Sequence, residues 1–236
     1  MTPLQLASAY AAFLNEGRRV DPRVIASIEE PPAAHALPNS PDQVISPTTA
    51  YVITNMLSAV IEHGTARKAR GTIPGTAIAG KTGTSRDGWF VGYTPNLVCA
   101  VWIGYDDNQQ LGLTGAEAAL PAWVDFMKDA VAVRPDLGGE NFECPEGIKF
   151  VEIDSATGLI STLSCPLREL IAVKEGQGPN LECYLHGNVP VQSSPFAERY
   201  SRPSVEKTEN SSYGLTRIDT DLNGKKTLVN ELNVLR

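Results

Sequence analysis

Ala79-Gly80-Lys81-Thr82-Gly83-Thr84 stands ahead of two apolar, β-rich runs, Trp89–Tyr93 and Leu97–Tyr105, and its reading decides the fold. Side chains alternate across a strand, so Lys81 and Gly83 share one face and Thr82 and Thr84 the other. An ammonium and two hydroxyls in one short stretch suit a ligand that carries a carboxylate. Gly83 has no side chain and lets a ligand approach the backbone, whose N–H groups can serve as oxyanion donors.

The same residues also fit a phosphate-binding loop. Gly75-Thr76-Ala77-Ile78-Ala79-Gly80-Lys81-Thr82 matches G-x-x-x-x-G-K-[ST], which needs a buried strand before it and a helix opening at Lys81. Upstream, Arg67-Lys68-Ala69-Arg70-Gly71-Thr72-Ile73-Pro74 is too charged and broken for a buried parallel strand. Downstream, Gly83, Gly88, Gly92 and Pro95 would stop a helix at its first turn. The context therefore favours a strand.

The chain has 236 residues, 42% of them hydrophobic, enough for one or two domains with a real core. A net charge of −7 gives no electrostatic case for nucleic acid. No apolar run approaches membrane-spanning length, and Met1-Thr2-Pro3-Leu4 lacks the basic start and apolar core of an export signal. Thr2-Pro3 and Ser46-Pro47 read as helix starts, each an N-cap followed by proline. Leu4, Ala7, Tyr10, Ala11 and Leu14 recur at helical spacing, with Gly17 as the stop. Val52, Ile53, Met56, Leu57, Val60 and Ile61 form the core-facing stripe of the second helix, and His63 caps its end. Residues 24–28 are expected as a strand and 31–45 as a loop.

After Thr84, the polar turns Ser85-Arg86-Asp87-Gly88 and Thr94-Pro95-Asn96 link three strands into an antiparallel meander. Trp89, Phe90 and Trp102 read as core, and Cys99 as a buried, inert thiol. Ala116–Val133 reads as a helix broken or restarted at Pro121. Helices before and after an antiparallel sheet give an α/β layered domain.

These motifs together resemble a known family. Lys-Thr-Gly heads one of three motifs of serine β-lactamases and penicillin-binding proteins. Thr2–Ala7 with Tyr10-Ala11 and Asn15-Glu16-Gly17, then His63–Ala66, Gly80–Thr84, Trp89–Pro95 and Val101–Asp106 follow in order. This series resembles the transpeptidase domain of class A, bifunctional penicillin-binding proteins from residue 1 to about 133. Val151–Asp154, Gly158-Leu159 and Gly178-Pro179…Cys183…His186 resemble that family's C-terminal extension.

The resemblance implies a β-lactamase/transpeptidase-like antiparallel sheet flanked by helices as a partial domain (1–135) and a small β-rich extension (136–186), while Ser193-Ser194-Pro195, Ser201–Ser204 and Asn210-Ser211-Ser212 read from composition as a polar, mostly disordered tail (187–236). It implies acyl transfer through a serine from the D-Ala-D-Ala end of peptidoglycan stem peptides, with penicillins as inhibitors, at the periplasmic face of the bacterial inner membrane. Lys81 and Thr84 are then catalytic, with Lys81 in the proton network and the Thr84 backbone N–H as an oxyanion donor. Thr82, Gly83 and Thr84 bind substrate. No cofactor, metal or nucleic acid is expected.

The sequence departs from the family at the nucleophile. Ser-x-x-Lys occurs only as Ser204-Val205-Glu206-Lys207, in the polar tail, and Ser-x-Asn is absent. The expectation is the C-terminal portion of a longer enzyme, with the nucleophile-bearing half, glycosyltransferase domain and membrane anchor outside this chain. A catalytically dead remnant that binds peptide ends or a partner is the alternative. Without the missing half, one apolar face of the sheet is expected to be uncovered. In the extension, a Cys165–Cys183 disulfide in an exported protein would contribute ~3 kcal/mol, with Cys144 a competing partner. A zinc site from Cys144, Cys165, Cys183 and His186 lacks any C-x₂₋₄-C pair.

Overall fold

The computed structural model describes residues 1–22 and 42–186, and the backbone of 217–222 and 225–233. The strand expected at 24–28, much of the loop after it and Ser204 lie outside the described residues. The chain divides into two units. The first holds the described part of 1–143 with the two C-terminal strands, and the second begins at Cys144.

Among the described residues, three α-helices frame the first unit. Thr2 caps α1 (Pro3–Leu14) in a full capping box with Gln5, and Ser46 caps α2 (Pro47–Glu62) through Thr49 N–H. Both begin with proline, which loses only an N–H that has no partner in a first turn. His63 is the C-cap of α2, as expected. The α2 stripe is rotated from the expected one. Its buried face runs through Ala50, Thr54, Leu57 and Ile61, whereas Met56 is 64% exposed. The i, i+4, i+7 spacing is what counts, and Met56 falls off that line.

Lys81 does not open a helix. It lies within β1 (Ala79–Thr84), which removes the phosphate-loop reading. Strand β1 pairs antiparallel with β2 (Gly88–Tyr93), and β2 with β3 (Leu97–Gly104), in the expected meander. Two further strands complete the sheet. β6 (Arg217–Leu222) and β7 (Lys225–Asn233) pair with each other, and β7 pairs with β3, giving the order β1-β2-β3-β7-β6. Both segments fall within the stretch expected as a tail. A five-residue apolar run such as Leu97–Val101, buried on both faces, needs hydrogen-bonded neighbours on both edges, and β7 supplies the second.

Both faces of the meander are covered, against the expectation of one bare face. On one, Val91, Tyr93, Val98 and Ala100 pack on Ala7 and Ala11 of α1. On the other, Phe90, Cys99 and Val101 pack on Leu120, Trp123 and Met127 of α3 (Gly115–Val133). Leu57 of α2 reaches the first core and Ile61 the second, because that helix lies beside edge strand β1. Helix α3 is continuous through Pro121, where a break was expected. Proline forfeits one bond to Glu117 O, while burial of Ala119, Leu120 and Trp123 on either side holds the helix together. Phe90 and Cys99 are fully buried as expected, whereas Trp89 and Trp102 remain half-exposed and pair across strands at 6.3 Å.

The boundary between units falls after Glu143, not after residue 135. The segment that follows α3 is tied to the sheet by Thr94 Oγ1 donating to Leu137 O, by Asn96 Nδ2 donating to Gly138 O and by Phe142 against Tyr93. The second unit pairs β4 (Ile148–Asp154) antiparallel with β5 (Arg168–Lys174). The sequence reading placed the hairpin instead between Val151–Ile153 and Leu159-Ile160. Those runs meet at the Ile153–Ile160 bridge, while the partner strand comes from further along.

Sheet and α3 approach most closely at Gly92. A Cβ there would meet Phe90 Cε1 at 2.7 Å and Trp123 Cζ2 at 2.9 Å, both rigid rings in the core. Gly92→Ala is expected to destabilise the first unit by roughly 1–3 kcal/mol through overpacking, read as a lower urea midpoint with unchanged slope.

Candidate active site

Strand β1 lies at the edge of the sheet, so one side of its backbone has no strand partner among the described residues. The register sets what each side chain faces. Lys81 stands opposite Val91 and Gly83 opposite Trp89, while Thr82 stands opposite Phe90 and Thr84 opposite Gly88. The alternation read from the sequence therefore holds.

Lys81 is exposed, and its chain folds back along the strand. Its Nζ donates to Thr82 O at 2.7 Å and stands 3.4 Å from Thr82 Oγ1. Thr82 is buried, and its hydroxyl lies 2.6 Å from that of Thr65. One ammonium and two hydroxyls thus meet at one edge. Thr65 follows the end of α2 and was not among the expected site residues. The one signal for it was the Gly64-Thr65 pair just after a helix stop, where the chain turns back toward the sheet.

Thr84 is exposed, and its hydroxyl accepts from Gly115 N–H at 3.0 Å. Gly115 is the first residue of α3, whose opening N–H groups have no partner within the helix. Thr84 thus satisfies one of these donors and keeps its own proton to give. Gly115 fits there because a Cβ would lie 2.4 Å from Gly83 O and 2.3 Å from Trp89 O. Gly83 has a packing reason of its own: a Cβ would stand 3.1 Å from Trp89 Cβ. The structure thus brings Lys81, Thr82 and Thr65 together, and places Thr84 one turn further on against the start of α3.

Glu117 closes this corner. Its carboxylate accepts from Thr114 N–H at 2.9 Å and from the Thr114 hydroxyl at 2.7 Å, and these bonds hold its carboxyl below the usual range. A depressed folded-state pKa stabilises the fold above the ordinary Glu value, and that contribution is lost as pH falls through the folded pKa.

An edge strand bearing Lys-Thr-Gly-Thr, on an antiparallel sheet covered by helices on both faces, defines the β-lactamase/transpeptidase fold class. Residues 1–127 match the family described as penicillin binding protein transpeptidase domain. The chain is 35% identical over 190 residues to penicillin-binding protein 1A of Aquifex aeolicus, covering 78% of this chain and 25% of that protein. It is 31% identical over 217 residues to penicillin-binding protein 2D of Bacillus subtilis, covering 87% of this chain and 30% of that one. The crystal structure of penicillin-binding protein 1A from Haemophilus influenzae matches at a TM-score of 0.64 and 28% identity, covering 78% of this chain and 33% of that one. The chain belongs to the penicillin-binding protein transpeptidase family. It spans less than a third of the length of these curated relatives. Among the described residues no helix is long and apolar enough to cross a membrane.

The Glu117 bonds give a pH test. The stability advantage of wild type over Glu117→Ala is expected in full at pH 7 and to shrink as pH drops below about 4. Thermal melts of both proteins across that range check it, and an advantage that grows on acidification would reverse the assignment.

Proposed function

We propose that this chain is the C-terminal part of a peptidoglycan D,D-transpeptidase of the bifunctional, class A type, and that β1 forms the wall that binds the donor's terminal carboxylate. The donor is the D-Ala-D-Ala end of a stem peptide, and penicillins occupy the same place. Lys81 and Thr84 take catalytic roles, Lys81 in the proton network and Thr84 through its backbone N–H as oxyanion donor. Thr82, Gly83 and Thr84 take the binding roles. The serine that attacks the donor carbonyl is supplied outside residues 1–236, with the glycosyltransferase domain and the membrane anchor. The enzyme acts at the periplasmic face of the inner membrane.

The observation that carries this reading is the state of Thr84. Its hydroxyl is exposed on an edge strand and accepts from Gly115 N–H, so its proton is available to an incoming anion. The Lys81 ammonium is held nearby by Thr82 O and biases the edge toward negative charge. An oxyanion donor of this kind contributes about 10²–10³ in rate.

The test uses the complete enzyme carrying this segment. Thr84→Val removes the hydroxyl and is expected to slow acylation by benzylpenicillin about ten- to a hundredfold, the worth of one hydrogen bond to a charged group. Thr84→Ser, which keeps both the proton and the acceptor for Gly115, is expected to stay near wild type. A donor whose terminal carboxylate is amidated is expected to react poorly with wild type and equally poorly with Thr84→Val, because both changes remove one contact. Full additivity of the two losses would withdraw Thr84 from the carboxylate.

A further inference from the structure

The second unit gathers a separate set of chemical groups. Asp154 ends β4, Cys165 lies in the turn before β5, and Cys183 and His186 follow β5. Their ligand atoms, one carboxylate oxygen, two sulfurs and one imidazole nitrogen, all lie within 4.8 Å of one another. Asp154 and Cys165 are fully buried and Cys183 is 7% exposed. His186 Nδ1 stands 3.3 Å from Asp154 Oδ1 and 3.4 Å from Cys183 Sγ, which is itself 3.4 Å from Asp154 Oδ2. Ligands held ~2.0–2.3 Å from a tetrahedral zinc stand about 3.3–3.8 Å apart, so these separations already have the spacing of a coordination shell.

Three observations set this cluster apart from an ordinary polar core. First, Asp154 Oδ2 takes the Thr157 N–H and hydroxyl, but its buried Oδ1 accepts no hydrogen bond among the described residues. A buried carboxylate oxygen left in that state costs free energy, and a cation removes the cost. Second, Thr162 N–H stands 3.3 Å from Cys165 Sγ and the Thr162 hydroxyl 3.5 Å, contacts that hold the sulfur in a fixed position within the cluster. Third, few apolar side chains are buried among the described residues of the unit. Its fully buried apolar side chains, among the described residues, are Ala172 and the two cysteines, while Leu163, Leu167, Leu181 and Tyr184 are exposed. A unit this small with so few buried apolar side chains needs a staple.

We propose that the second unit binds a structural zinc ion through Asp154, Cys165, Cys183 and His186. Two thiolates, an imidazole and a carboxylate gathered within 4.8 Å of one another select zinc over the oxygen-loving cations. Four protein ligands leave no open position, which makes the site structural and not catalytic. Binding displaces both thiol protons to solvent. A Cys165–Cys183 disulfide would also staple the unit, but among the described residues it would leave Asp154 Oδ1 only the His186 contact at 3.3 Å, without a hydrogen bond. The backbone supports the metal geometry. Asp154 N–H bonds Leu159 O, Ile160 N–H bonds Leu181 O and Cys183 N–H bonds Ile160 O, fixing the segments that carry Asp154 and Cys183 on the stretch between them. Cys144, grouped with the others from sequence, is exposed and stands outside the cluster, and Asp154 takes the fourth place.

The test is made on the full chain, purified under reducing conditions with zinc present. Stoichiometric zinc is expected by elemental mass spectrometry, lost in Cys165→Ser and in Asp154→Asn and retained in Cys144→Ser. Replacement by cobalt is expected to give a tetrahedral visible spectrum with a sulfur-to-metal charge-transfer band, a readout on wild type that stands even where a variant fails to fold. A chelator is expected to lower the melting temperature. A wild-type chain free of zinc, with a mass lower by the two thiol hydrogens, would establish the disulfide and overturn the proposal. Zinc retained undiminished in Cys165→Ser, or a cobalt complex without the sulfur band, would overturn it as well.

Discussion

The antiparallel register between β1 and β2 is the constraint on which the first unit depends. Pairing Thr82 with Phe90 and Lys81 with Val91 sends one set of side chains toward the core under α3 and the other toward α1. A slip of one residue would exchange those faces, turning Lys81 toward the α3 core and the threonines away from it. The penalty for burying an unpaired ammonium fixes the register far more firmly than the strand hydrogen bonds alone. Once it is fixed, β1 must lie at the sheet edge, and the start of α3 must meet it where Gly83, Trp89 and Gly115 permit close approach.

The edge position links fold to chemistry. A strand paired on one side only is a liability in most proteins, because its free backbone invites further strands. Here α2 and α3 crowd that strand, so access is confined to the stretch where Lys81 and Thr84 are exposed. Thr84 ties the strand to the helix through Gly115 N–H, and the same hydroxyl keeps a proton to give. Rigidity and the proposed ligand recognition therefore draw on one side chain. That economy also means a substitution at Thr84 has a structural component, which serine separates from the chemical one.

Much of the meander was legible in the sequence because its signals are local. Thr2-Pro3 and Ser46-Pro47 start helices by satisfying donors within a few residues, and the turns around Gly88 and Pro95 bound apolar runs of strand length. What was illegible depended on distant partners. Pro121 looked like a break because its context, a helix buried against Phe90 and Cys99, comes from elsewhere in the chain. Thr65 gains its place at the site only when the fold sets it beside Thr82. The C-terminal strands had a local signal that composition hid. Arg217–Leu222 and Lys225–Asn233 flank Asn223-Gly224, a dipeptide that favours tight hairpins, but their many polar residues read as tail. Asp154 was missed for a different reason: a carboxylate at a strand end looks like any other until two thiols and an imidazole are folded around it.

The central claim is that the β1 edge receives a carboxylate, and the crystal structure of the complete enzyme acylated by benzylpenicillin tests it most directly. The account predicts the penicillin carboxylate within about 2.7–3.2 Å of Thr84 Oγ1, on the side of β1 that carries no strand, with the Lys81 ammonium close by. A carboxylate held by other residues, with Thr84 bonded to Gly115 alone, would contradict it.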